Sequence, residues 1–388
     1  MAEIGENEMN VYGDSKIVIE RLMRKEPVLI FGARIVAKEI TTCLYGEPYE
    51  ANVLAHVVTD KKDNPDRFMG KDVLTIPEAV SKYGTSHTIV LACMEKHLEE
   101  IIRSLTEAGY QDIIPLSFES DLWADVRWEY FKKYCARTNR NCKEISSCLE
   151  GVQIKNETSK TVSIYNARFH KDKKLSENID AYKWEKPIQV GSALTDVKIC
   201  SIRDNVGENI SAKNPRYSEL TAVYWIWKND HSDYVGISHY RRHFDLNEDK
   251  IKLLADSDID VVVTTPILNF PSVKAVYYND HDGADWEILM QIIKEKYPAY
   301  EQAAKRVQDG CYYYAYNMMI AKKSIYDSYC KWLFDILFCC EEKCAPKENA
   351  YQNRLMGFLS ERLMTIYLEQ HKMEYNIVHC RKHFIFGE

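Results

Sequence analysis

Apolar and polar residues recur along this chain with two different periods, and the period changes mark out its elements. From Pro27 the run Val-Leu-Ile-Phe ends in Gly32-Ala-Arg, which predicts a buried strand and a turn, followed by a helical stretch through Tyr45. A strand follows at Val53 to Val58, then a loop from Asp60 to Met69, a short segment ending in Val73-Leu-Thr-Ile-Pro and a helix from Pro77. Thr88 to Ala92 and Asp112 to Leu116 read as strands around an amphipathic helix over Glu95 to Ala108. Strands alternating with helices predict a parallel sheet. Residues 121–158 read as helical and charged, becoming polar from Lys155, and the domain junction is expected there. Beyond it, Thr161 to Tyr165, Ile188 to Val190, Val235 to Ser238, Asp260 to Thr265 and Tyr314 to Ala321 have strand character. A helix is expected from Pro215 with Asn214 as its N-cap, and two more over Ser324 to Cys340 and Ala350 to His371. The chain is therefore α/β, with a first domain over 14–120, a helical linker over 121–158 and a second domain over 159–388.

A length of 388 residues suffices for two cores, and 46% hydrophobic with 28% charged residues is ordinary for a soluble protein. A formal charge of -7 argues against nonspecific nucleic-acid binding. The sequence shows no secretory leader and no apolar run of about eighteen residues, so no transmembrane helix is expected. Twelve scattered cysteines fit a reducing cytosol, and Cys339, Cys340 and Cys344 lack the paired Cys-x-x-Cys of a zinc site. A cytoplasmic protein is the expectation. Lys132, Lys133, Arg137, Arg140 and Lys143 accompany Trp123, Trp128, Tyr130 and Phe131. That mix suits peripheral contact with anionic headgroups, or a solvated helix packed on one aromatic face.

The densest chemistry follows a helix-period stretch ending in Trp225 and Trp227, where a short strand delivers His239, Arg241, Arg242 and His243 to its C-terminal end. Ligands bind at strand carboxyl ends in open α/β sheets, and adjacent guanidiniums match phosphate oxygens. The alternative is a solvated or carboxylate-paired cluster. Around it stand the Pro-Ile-Gln-Val-Gly run from Pro187, Asn-Ile-Ser from Asn209, Glu-Leu-Thr from Glu219 and His-Tyr-Arg-Arg from His239. His281 with Asp285, Asn-Met at Asn317 and Gly-Phe-Leu-Ser-Glu-Arg-Leu from Gly357 complete the set. These pieces, over roughly residues 160–386, resemble a bacterial glycosyltransferase domain family of capsular, exopolysaccharide and O-antigen gene clusters that includes galactofuranosyltransferases.

The resemblance implies a GT-A-like second domain that moves a hexose, with galactofuranose a candidate, from a nucleoside diphosphate sugar, expected to be UDP-linked, to a lipid-linked saccharide acceptor. It places His239, Arg241 and Arg242 at the donor diphosphate, and His170, Gln189, Asp204, Asn209, Glu219 and Asn317 in or behind the donor site. His281, Asp285 and Glu361 are the candidate catalytic groups. His281 and Asp285 share one face if their stretch is helical; a loop metal site with Asp280 and Asp282, or a helix cap, is the rival reading. The expected strand end has no Asp-x-Asp, which leaves dependence on Mn or Mg open. The first domain resembles the Rossmann-like modules of sugar-modifying enzymes. Its turn keeps Gly32 but has Arg34 and Ala37 where a dinucleotide fingerprint needs glycine, although Asp60 is placed to meet a ribose. An NAD(P)-dependent oxidoreductase or epimerase and a non-catalytic assembly protein are the alternative functions.

Overall fold

A computed structural model of the chain describes residues 14–118, 120–153, 160–175 and 182–386. The polar N-terminal residues 1–13 and most of the polar stretch expected at the junction lie outside the described residues. The chain divides into two compact units, Met1–Arg140 and Asn141–Glu388.

The first unit is a six-stranded sheet of β1 (Pro27–Phe31), β2 (Asn52–Val58), β3 (Arg67–Phe68), β4 (Lys71–Thr75), β5 (Thr88–Leu91) and β6 (Ile113–Pro115) in the order β3-β4-β2-β1-β5-β6. All neighbours pair in parallel except β3 with β4. Its helices are α1 (Ser15–Leu22), α2 (Ile35–Tyr45), α3 (Ile76–Tyr83), α4 (Leu98–Glu107) and α5 (Asp121–Arg137). Leu29, Phe31, Ala55, Val57, Ile89, Leu91 and Leu105 form one core. β1, β2, β5 and β6 read as largely apolar runs because both of their faces are covered, whereas edge strand β3, which falls in the loop expected over Asp60 to Met69, and β4 carry the exposed Arg67 and Asp72. The sheet order reverses between β1 and β5, where Gly32 sits at φ +122° and a Cβ would stand 2.6 Å from the carbonyl oxygen of Ala92. That glycine is demanded by close strand packing, before any ligand is considered. Asp60 accepts from the Lys62 backbone and closes a local turn. On α5 Trp123, Trp128, Tyr130 and Phe131 are buried, so the aromatic face points into protein.

The second unit is built on a nine-stranded sheet. Its strands include β7 (Val162–Arg168), β8 (Lys186–Gln189), β9 (Ile202–Arg203), β10 (Tyr234–His239), β11 (Arg242–Phe244) and β12 (Val261–Thr264). After the small hairpin β13 (Ile267–Leu268) and β14 (Tyr312–Tyr313) come β15 (Met319–Lys322), β16 (Ile377–Cys380) and β17 (Lys382–Phe384). The main path is β16-β12-β15-β10-β7-β8-β9, with β11 joining β10 to β17. β10, β7, β8 and β9 pair in parallel, β12 pairs in parallel with β16, and β15 runs antiparallel to both of its neighbours, β10 and β12. The C-terminal ends of β7 to β10 and the loop that enters β15 therefore meet at one edge.

Helices α6 (Ile145–Leu149), α7 (Asn214–Tyr217), α8 (Leu220–Asn229), α9 (Glu248–Asp256), α10 (Val273–Asp280), α11 (Gly283–Lys296), α12 (Glu301–Asp309), α13 (Lys323–Lys343) and α14 (Leu355–Gln370) complete this unit. Three local expectations need correction. The helix expected from Pro215 breaks at Ser218, whose φ is +50°, and Asn214 lies in its first turn, donating to the Ser218 carbonyl instead of capping. The Tyr314 to Ala321 segment is strand only from Met319, because Tyr316 and Asn317 adopt φ of 67° and 54°. His281 and Asp285 do not share a helix: α10 ends at Asp280, and Asp282 caps α11 by accepting from Ala284 N–H.

Candidate functional site

β10 ends at His239, and the chain turns through Tyr240 and Arg241 so that Arg242 pairs back against His239. The β15 entry loop reaches the same place. His239 Nε2 lies 2.6 Å from the Tyr316 carbonyl, which only accepts, so Nε2 carries the proton. Burial, helped by Arg242, pushes the His239 pKa down to about 4, so the ring is neutral at pH 7. It holds the Tyr316 turn and brings no charge to a phosphate, which moves His239 behind the expected clamp.

The Tyr316–Asn317 turn is held from three sides. Tyr316 N–H donates to Glu361 at 2.6 Å, and Arg362 donates to the other Glu361 oxygen at 2.7 Å. Burial raises the Glu361 pKa, against the pull of Arg362 and the Tyr316 N–H. The Asn317 amide donates to Glu219 at 2.7 Å, which leaves Asn317 Oδ1 buried with no partner. Glu219 thus orients Asn317.

The arginines rest on aromatic rings. The Arg242 guanidinium lies 4.1 Å from the Tyr316 ring centre and 5.0 Å from that of Phe384, while Arg241 lies 5.1 Å from Tyr240 and 5.2 Å from Phe384. Such contacts hold a guanidinium plane while leaving its N–H edge to other acceptors. Arg241 Nε is buried without a partner. Asp172, in the lysine-rich loop after β7, feels the charges of Arg241 and Arg168. Its carboxylate accepts from Phe169 N–H at 2.7 Å, and burial pushes its pKa up to about 6, against the pull of Arg241 and Arg168. Arg168 itself is tied to Asn166, whose amide donates to the His239 carbonyl.

Across Arg362 lies His281, stacked 4.1 Å from Phe358. The Gln352 amide donates its NH₂ to the Asp280 carbonyl at 2.9 Å, which turns its oxygen toward His281 Nδ1 at 3.1 Å. Nδ1 is then the protonated nitrogen, and Nε2 keeps its lone pair. Burial lowers the His281 pKa. Asp285 is buried against Lys347 at 3.1 Å, and Asp282 also pairs with Lys347, so the structure brings neither carboxylate to His281 as a hydrogen-bond partner.

The remaining expected residues shape loops at the same edge. Asp204 is fully buried and accepts from Gly191 N–H, Ser192 N–H and Ser211 Oγ, while Asn209 ties Gly207 to Ser211 on the surface. The buried Gln189 amide grips the Val197 carbonyl and Ile199 N–H. His170 packs its ring 4.3 Å from Phe169, beside the Asp172 turn. No group of three or more His, Cys, Asp or Glu side chains suited to a metal occurs among the described residues. The side chains that end β10, two arginines and a histidine held on the Tyr316 carbonyl, do not fit a divalent ion.

A family described as a domain of unknown function, DUF4422, matches residues 163–372, which span the strands and helices that carry every one of these groups from Asn166 to Arg362. The chain belongs to the DUF4422 family. Among solved structures this DUF4422 chain resembles the WbbM bifunctional glycosyltransferase in its apo structure, at 29% identity and a TM-score of 0.50. That likeness covers 59% of this chain and 46% of the WbbM chain, so the match spans less than half of WbbM. It fits a GT-A-like α/β fold for the DUF4422 domain. No curated protein matches the chain. No helix among the described residues is long and apolar enough to cross a membrane.

Proposed function

We propose that this chain is a glycosyltransferase that moves a hexose from a nucleoside diphosphate sugar, UDP-linked and with galactofuranose as the leading candidate, onto a lipid-linked saccharide of capsular, exopolysaccharide or O-antigen synthesis. The observation that carries the reading is the pair of ring-stacked arginines at the C-terminal end of β10, in a family domain that resembles a glycosyltransferase. Arg241 and Arg242 bind the diphosphate. As the sugar C1–oxygen bond breaks, the charge that appears on the departing diphosphate meets cations already held in place, which lowers the barrier without reorganisation at the moment of reaction. The acceptor hydroxyl oxygen forms the new bond to C1, and its proton passes to His281 Nε2, the nitrogen that Gln352 leaves basic. Glu361 and Asp285 act as positioning residues, one holding the Tyr316 turn and the other the start of α11 through Lys347.

The test is a thermal-shift series with UDP, UDP-hexoses, GDP-sugars and NAD(P), run on the native chain and on Arg241→Ala with Arg242→Ala. A ligand that binds only the folded state raises the melting temperature by mass action. A shift by one nucleotide sugar that disappears in the double variant supports the clamp. A shift by NAD(P) alone, unchanged in the variant, would replace transfer with redox chemistry in the first unit.

A further inference from the structure

The strands β7, β8 and β9 are parallel neighbours, so the loops that follow them leave the sheet at the edge where β10 delivers Arg241. Those loops carry an unusual surface. Of the ten large hydrophobic residues exposed among the described residues, four fall between residues 194 and 206, namely Leu194, Val197, Ile199 and Val206, with exposures of 51%, 52%, 45% and 55%. Single exposed apolar residues are common, whereas a group on adjoining loops marks an interaction surface. The display is built. The fully buried Gln189 side chain grips the backbone at Val197 and Ile199, and the buried Asp204 carboxylate grips Gly191 and Ser192 just before Leu194. Two fully buried polar side chains thus hold these apolar residues out in water.

Exposed lysines accompany them on the same and the neighbouring loop. Lys198 stands between Val197 and Ile199, and Lys171 and Lys173 are exposed on the β7 loop. The two loops start side by side, since Arg168 pairs with Gln189 at the ends of β7 and β8 and Val190 N–H donates to the Arg168 carbonyl at 2.9 Å. Over residues 168–174 and 194–206 the cations Arg168, Lys171, Lys173, Lys174, Lys198 and Arg203 outnumber Asp172, Asp196 and the buried Asp204, in a chain of formal charge -7. Apolar side chains interleaved with lysine match the interface of an anionic bilayer, where the apolar groups enter the acyl boundary and each lysine meets a headgroup phosphate.

We infer that residues 169–175 after β7 and the loops after β8 and β9 form a membrane-docking edge, which seats the chain on an anionic lipid surface through Leu194, Val197, Ile199 and Val206 with Lys171, Lys173 and Lys198. This places the contact in the second unit, whereas the aromatic residues of α5 are buried. Docking needs no nucleotide sugar, so it stands or falls apart from the transfer reaction.

The experiment is co-sedimentation of the full chain with vesicles of phosphatidylglycerol and phosphatidylethanolamine, and with phosphatidylcholine alone. Binding is expected to the anionic vesicles, weakening as salt rises. Leu194→Ser with Val197→Ser and Ile199→Ser should lower the partition coefficient about tenfold or more, since each apolar group contributes to insertion. Lys171→Glu with Lys198→Glu should lower it on anionic vesicles and leave binding to phosphatidylcholine unchanged. Met373→Ser, at an exposed apolar residue away from this edge in sequence, serves as the control and should bind as the native chain does. An unchanged melting temperature shows that the variants fold. Equal binding by the native chain and the triple serine variant overturns the proposal, as does failure of the native chain to bind anionic vesicles. A triple variant whose only change is a smaller assembly in analytical ultracentrifugation also overturns it, assigning the patch to a contact between copies of the chain.

Discussion

At the scale of single residues, the candidate site is organised by which atom of each polar side chain is already engaged. His281 illustrates this: Gln352 fixes its tautomer, so the ring offers a lone pair at Nε2. His281→Ala should lower kcat by about 10² to 10⁴, the range of a general base, while the melting-temperature shift given by the donor stays as in the native chain. Loss of the donor shift together with kcat would make His281 a donor-binding residue instead. Asp172 gives a pH signature. Its folded pKa of about 6 lies above the ordinary carboxylate range, so the folded chain keeps this proton longer than the unfolded one. The site is therefore at its most favourable below pH 4 and loses stability as pH rises toward 6, where the carboxyl ionises in a buried setting. Asp172→Asn keeps the acceptor for Phe169 N–H and should stabilise the chain by about 1 kcal/mol at pH 7.5 after allowance for solvent screening, and by nothing at pH 4. Urea unfolding at the two pH values measures the difference, and equal gains at both would show that ionisation is not its source. The arginines and His281 were legible as motif residues. Asp172 was not, because Lys-Asp-Lys-Lys reads as a solvated run, and only the turn back to Phe169 N–H brings that carboxyl inward.

At the scale of elements, β1, β2, β5 and β6 of the first unit were readable because each is a short apolar run bounded by turn residues, whereas the two-residue β3 was hidden in the loop expected over Asp60 to Met69. The second unit hid its decisive features. Asn317 is a residue type that tolerates the left-handed region, but nothing in Tyr316 announces two such conformations in succession, since tertiary hydrogen bonds with Glu361, Glu219 and His239 impose them. The break at Ser218 was equally silent, whereas the cap at Asp282 carried a recognisable signal in the Asp-Gly that precedes Ala284. Glu361→Ala strands the buried Arg362 without its carboxylate and should destabilise the second unit by about 3 kcal/mol, with Glu361→Gln costing less because it still accepts from Tyr316 N–H. Equal losses in denaturant melts would show that the Tyr316 N–H bond contributes nothing and that loss of the charge pair is the whole effect. Gly236, in the middle of β10, has Ile320 and the Met319 carbonyl within 2.8 Å of where a Cβ would stand. Gly236→Ala should cost about 1 to 3 kcal/mol by forcing β10 away from β15, and a circular-dichroism melt that matches the native chain would contradict that packing.

At the scale of the whole molecule, each unit has its own core, one around Leu29, Val57 and Leu105 and the other around Ile164, Val262 and Ile320. Calorimetry should resolve two transitions, and a nucleotide sugar should raise only the one that Gly236→Ala lowers, because a ligand stabilises the unit that binds it. Movement of the other transition would transfer the donor site to the first unit. The class of both units followed from the alternation of strands and helices, but strand order did not, since periodicity is blind to pairing across long stretches of chain. The order of the larger sheet bears on how the protein is made. β15 wedges between β10 and β12, yet it is the last of the three to leave the ribosome. While residues 265–318 are being synthesised, the inner edges of β10 and the valine-rich β12 wait unpaired, the condition in which strands join wrong partners. Production of this chain in a foreign host is therefore most vulnerable in that interval of translation, and slower growth or added chaperone at that stage addresses the cause of inclusion bodies better than any change to the finished surface.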